Sequence, residues 1–103
     1  MADKLVVKNV GTMLSGALEN PILDANCVIA VDGNIVSIGK ETDLDTESAS
    51  TTIDAKGTVL SPGLIDSHVH PVAGDWTPRQ SQVNWIDSSM NGGVTTMISA
   101  GEA

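Results

Sequence analysis

The sequence predicts an α/β chain, with short strands over residues 1–61 followed by a strand, helix, strand unit over residues 62–103. Three observations carry the prediction: an Asp-Gly pair between two β-branched runs, a break at Pro62-Gly63, and a helix-start pattern lying between two later strand-like runs.

In chain order, Leu5-Val6-Val7 is a brief apolar run, and a second strand fits Thr12 to Leu14 after the break at Asn9-Val10-Gly11. Cys27-Val28-Ile29-Ala30-Val31 and Asn34-Ile35-Val36-Ser37-Ile38 flank Asp32-Gly33. That arrangement predicts a two-residue type I′ hairpin, because both central positions need positive φ. Residues 41–51 are polar, acidic and aperiodic, which predicts a solvated loop or a frayed helical turn. Strand character returns at Thr52-Ile53-Asp54-Ala55 and Thr58-Val59-Leu60, and Ser61-Pro62-Gly63 closes the small β unit.

Leu64-Ile65-Asp66-Ser67-His68-Val69-His70 reads as a strand. Two-residue alternation puts Asp66, His68 and His70 on one face and Ile65, Ser67 and Val69 on the other. Pro71, which offers no amide hydrogen, ends it. Thr77-Pro78-Arg79-Gln80 has the form of a capping box, with a hydroxyl N-cap, Pro at the first helical position and Gln at the third. Val83, Ile86 and Met90 give the helix one apolar stripe, with Gly92 or Gly93 as its stop. Thr95-Thr96-Met97-Ile98-Ser99 completes a β-α-β unit, the building block of parallel sheets.

Composition excludes several function classes. The 103 residues make one small domain's worth of chain, and five Lys+Arg against 13 Asp+Glu give a net charge of −8. With so few, scattered cations, a nucleic-acid partner is not expected. Trp76 and Trp85 are the only aromatic residues, so the core must be aliphatic and thin. A single cysteine, Cys27, forms no internal disulfide, which points to a reducing, cytoplasmic compartment. No window approaches the run of about 18 apolar residues that a membrane span requires, so no membrane partner is expected either.

The chemistry concentrates at His68 and His70, the only two histidines. Residues two apart on a strand lie about 6.5–7 Å from each other on one face, so both imidazoles can reach one metal at Zn–N distances of about 2.0–2.1 Å. The bland alternative is a pair of half-exposed polar residues on an edge strand. Their place at the carboxyl end of a strand favours a site, since parallel α/β folds gather functional groups there. A catalytic zinc usually takes three protein ligands, so the pair is incomplete. Asp66 is a candidate carboxylate to support those ligands or to supply a third.

Residues 62–70, preceded by Val31-Asp32-Gly33-Asn34-Ile35 and Asp54-Ala55-Lys56-Gly57, resemble the opening of an amidohydrolase-superfamily enzyme. The resemblance covers the whole chain. It implies a TIM-type (β/α)8 barrel with a small β-sandwich made from both chain ends. Residues 1–61 would then be the N-terminal part of that composite sandwich, and residues 62–103 strand 1, helix 1 and strand 2 of the barrel.

The same resemblance implies one or two divalent ions, Zn or Fe, per full-length subunit, held in part by His68 and His70. The family's further ligands, a lysine that is usually carbamylated, two more histidines and an aspartate, lie downstream of Ala103. The implied activity is hydrolysis of a small-molecule cyclic amide or related C–N bond by hydroxide from a metal-activated water whose pKa falls to about 7. A homo-oligomer is implied for the full-length protein, and no turnover for these 103 residues alone.

Arg79, the only arginine, is a candidate fork for a substrate carboxylate, or else a solvated first-turn residue. Trp76 is a candidate apolar wall of the pocket, or else an anchor for its loop. Asp75 reads as a turn residue, and Glu102 carries little weight. Val72 stands where dihydroorotases carry arginine, which counts against that activity. An imidazolonepropionase, a metallo-carboxypeptidase, a deaminase, and a non-catalytic remnant serving binding or oligomerisation remain as alternatives.

Overall fold

The structure is a computed structural model that describes residues 2–69 and 85–99. The chain divides into two compact units, Met1–Pro62 and Gly63–Ala103.

In the first unit, β1 (Lys4–Lys8) lies between β4 (Cys27–Val31), antiparallel, and β6 (Thr51–Asp54), parallel, with β5 (Asn34–Gly39) outside β4. A second sheet places β2 (Thr12–Leu14) between β3 (Ile22–Leu23), antiparallel, and β7 (Val59–Leu60), parallel. The Asp-Gly hairpin joins β4 and β5 as expected, with Asp32 at φ 50° and Gly33 at φ 85°. The β3 strand was not anticipated: two residues after Pro21 carry too little periodicity to be seen.

The chain crosses between these sheets three times, and two of the crossings, from β1 to β2 and from β6 to β7, run side by side. Ala55 N–H donates to the Lys8 carbonyl (2.8 Å), Gly57 N–H to Asn9 (2.8 Å), and Gly11 N–H to Thr58 (2.9 Å). A Cβ on Gly11 would sit 2.1 Å from the Gly57 carbonyl oxygen, so only glycine permits this approach. Asn9 Nδ2 donates to Asp54 Oδ1 at 2.9 Å, tying the two crossings together.

Alternation along β1 and β4 serves both faces of the first sheet. Val6, Cys27 and Ile29 are buried on one side, while Val10, Met13 and Val28 are buried between the sheets with the half-buried Val7, Leu23 and Leu60 packed against them. Strands buried on both faces read as continuous apolar runs, which explains Cys27-Val28-Ile29. Residues 41–51 are mostly exposed, as expected, with no fully buried residue among them. After a 3-10 turn at Glu41–Asp43, Leu44 and Ala49 close over Val6, Cys27 and Ile29. Lys4 Nζ pins this segment by donating to the carbonyls of Asp45 (2.8 Å) and Glu47 (2.7 Å). A largely apolar cleft of about 530 Å³, lined by Leu5, Val7, Leu14, Ile35, Ile38 and Leu60 among others, stays open in this unit.

In the second unit, β8 (Leu64–Val69) and β9 (Val94–Ser99) pair in parallel, with α1 (Trp85–Asn91) between them in sequence. The helix stops where glycine allows it: Gly93, at φ 96°, donates its N–H to the Met90 carbonyl at 2.9 Å. The capping box at 77–80 and Val83 lie outside the described residues. Met90, on the apolar stripe of the helix, is 60% exposed. No helix among the described residues is long and apolar enough to cross a membrane.

Candidate metal centre

The site is built on β8, and β8 begins under a tight constraint. A Cβ on Gly63 would fall 1.9 Å from Thr95 Oγ1, so glycine is what lets the strand enter against β9. Leu64 N–H then donates to the Gly93 carbonyl at 2.8 Å, fixing the start of the parallel pair.

The strand is irregular where it matters. From Asp66 to Val69, β8 advances three residues while β9 advances two, from Met97 to Ser99. An extra residue of this kind is a β-bulge, a device found next to active sites because it re-aims side chains. The unbroken alternation that predicted one shared face for Asp66, His68 and His70 is therefore interrupted between Asp66 and Val69. Asp66 Oδ1 accepts the backbone N–H of His68 at 3.2 Å. The signal for that bond is an Asp two residues before the amide it caps, the Asx-turn pattern. The sequence presents Asp66 as a support for the ligands or a third ligand, and the backbone bond is a separate role.

His68 is exposed and lies near the carboxyl end of β8, as its sequence position implied. His70, Asp75, Trp76, Arg79 and Glu102 lie outside the described residues. Among the described residues no three His, Cys, Asp or Glu side chains converge as a metal site. The donor chemistry at this strand end still fits zinc or iron, both of which take imidazole nitrogen, as a partial ligand set that other residues must complete.

No protein-family model matches the chain. The chain is similar to enamidase from Eubacterium barkeri, at 45% identity over 99 residues, which is 96% of this chain and 26% of that protein. It is also similar to 5'-deoxyadenosine deaminase from Methanosarcina barkeri (strain Fusaro / DSM 804), at 43% identity over 68% of this chain and 15% of that protein.

Among solved structures, enamidase, described there as a new member of the amidohydrolase superfamily, matches with TM-score 0.83 at 44% identity over 97% of this chain and 26% of its own. L-hydantoinase (dihydropyrimidinase) from Arthrobacter aurescens matches with TM-score 0.68 at 34% identity over 96% of this chain and 20% of its own. The chain thus spans about a quarter or less of the length of these relatives.

Proposed function

We propose, from the premise that the chain belongs to the amidohydrolase superfamily, that it forms part of a metal-dependent hydrolase opening a small cyclic amide or related C–N bond. The observation that carries this reading is His68 near the end of β8, in the sequence His68-x-His70, within a chain 45% identical to enamidase over 99 residues. Enamidase and hydantoinase are named for an enamide and a hydantoin, and both names denote an amide C–N bond. Segments 74–80 and 92–101 also resemble enamidase in sequence.

In this reading residues 1–61 contribute to a β-sandwich domain, and the apolar cleft left open there supports it. Residues 62–103 begin a (β/α)8 barrel, supported by the parallel pairing of β8 and β9. His68 and His70 hold one or two zinc or iron ions as neutral imidazoles, with the remaining ligands from elsewhere in the whole protein. A divalent ion held there supplies Lewis acidity toward an amide carbonyl and water. Arg79 offers a guanidinium fork to a substrate carboxylate, and Trp76 an apolar wall. The buried, unpaired thiol of Cys27 supports a cytoplasmic setting, and the whole protein is read as a homo-oligomer.

The test is made on the complete gene product. Its zinc and iron content is measured, and hydrolysis is followed on hydantoin, lactam and enamide substrates. His68→Ala and His70→Ala are expected to lose the ions, and to lower kcat/KM by more than the roughly 10–100-fold that removing a ligand's hydrogen-bond partner costs. Unchanged metal content in both variants would sink the reading. The 103-residue chain by itself is expected to give no turnover.

A second reading, deamination, has the 43% identity to 5'-deoxyadenosine deaminase behind it. Products separate the two. Opening a cyclic amide adds one water to the substrate and releases nothing, whereas a deaminase releases ammonia.

A further inference from the structure

We propose that Asp66 is a positioning residue that sets His68 through its backbone rather than by touching a metal or the imidazole. The inference rests on the metal-site reading above, and on two observations independent of that reading. Asp66 Oδ1 accepts the His68 N–H at 3.2 Å, and the register of β8 against β9 slips by one residue between Asp66 and Val69. A bulged residue leaves the regular ladder, and its amide needs an acceptor to hold one conformation. A carboxylate two residues upstream supplies it at a fixed distance, because an Asp side chain closes this short ring with little freedom.

The pairing of β8 with β9 shifts register twice, between Leu64 and Ile65 and again between Asp66 and Val69, and the bond sits at the second of these shifts. Phase is what decides the direction of every following side chain, since one residue of slip turns a strand's side chains to the opposite face. Asp66 thereby fixes the aim of His68 within β8. The acceptor oxygen matters for this role, and the negative charge does not.

The experiment uses the complete gene product, stripped of metal and titrated with zinc chloride, with hydrogen exchange at the His68 amide as a second readout. Asp66→Asn keeps the acceptor oxygen and is expected to stay within about threefold of the parent in zinc affinity, with His68 N–H still protected. Asp66→Ala is expected to weaken zinc binding by roughly 10–100-fold and to speed exchange at His68. Should alanine impair folding, Asp66→Ser, whose hydroxyl accepts the same amide more weakly, is expected to bind zinc less tightly than the Asn variant and to leave the His68 amide less protected.

An equal loss in the Asn and Ala variants would overturn the proposal, because it would mean that the charge itself binds the ion. So would an alanine variant that matches the parent in both readouts. If parent and His68→Ala alike fail to bind zinc, the metal reading falls, and exchange at His68 still decides whether Asp66 holds the strand.

Discussion

Gly63 shows how much one missing Cβ contributes. Its α-carbon faces Thr95 so closely that alanine would put a methyl group 1.9 Å from Oγ1. Gly63→Ala is expected to destabilise the second unit by about 1–3 kcal/mol through overpacking, read as a lower urea midpoint and loss of parallel-strand amide protection. Cys27 makes the complementary point inside the first unit. It is fully buried, and burial pushes its thiol pKa up. The unfolded chain therefore gives up that proton first as pH rises, and the stability present below the ordinary thiol value is lost above about pH 8.5. Denaturation midpoints measured from pH 7 to 10 should fall for the parent and stay flatter for Cys27→Val. Met13, buried between the sheets, is expected to cost about 2–5 kcal/mol on truncation to alanine.

Among the elements, those ruled by local chemistry were legible in the sequence. The Asp32-Gly33 hairpin needs two left-handed residues in succession, and the residues that tolerate this are few. The glycine stop of α1 and the strand character of β8 and β9 were legible for the same kind of reason. What escaped depends on distant partners. Nothing near residues 41–51 says that Leu44 will seal Val6, and nothing near β1 names β6 as its parallel neighbour. The bulge in β8 is likewise a property of a pair of strands, so the His68-x-His70 spacing was visible while the phase break beside it was not. Replacing Gly33 with valine is expected to cost about 1–3 kcal/mol, because a β-branched residue must then sit at φ 85°. Amide exchange confined to β4 and β5 would check it.

For the molecule as a whole, charge sets the acid limit. The chain carries a net charge of −8 at neutral pH and its isoelectric point is near 4.3. Asp54 is held below the usual aspartate range by its hydrogen bond from Asn9 and by the Lys56 backbone N–H, and Asp24 by its hydrogen bond and ion pair with Lys40. Both favour the charged form in the fold. The stability they lend is present above the ordinary aspartate value of about 3.9 and disappears as pH falls through their lower folded values. Urea midpoints should therefore drop between pH 5 and pH 3, and Asn9→Ala should lessen that drop.

The parallel neighbours of β1 and β2 are β6 and β7, and Leu5 pairs with Thr51. On a ribosome adding about 5–20 residues per second, that partner emerges roughly 2–9 s after β1 does. Closing so long a loop is slow compared with forming the hairpin next to it. The β4–β5 hairpin is thus positioned to dock on one side of β1 first, while the other side waits bare for a strand not yet translated. Pausing or speeding translation between codons 31 and 51 would then alter yield without changing a single residue of the finished protein.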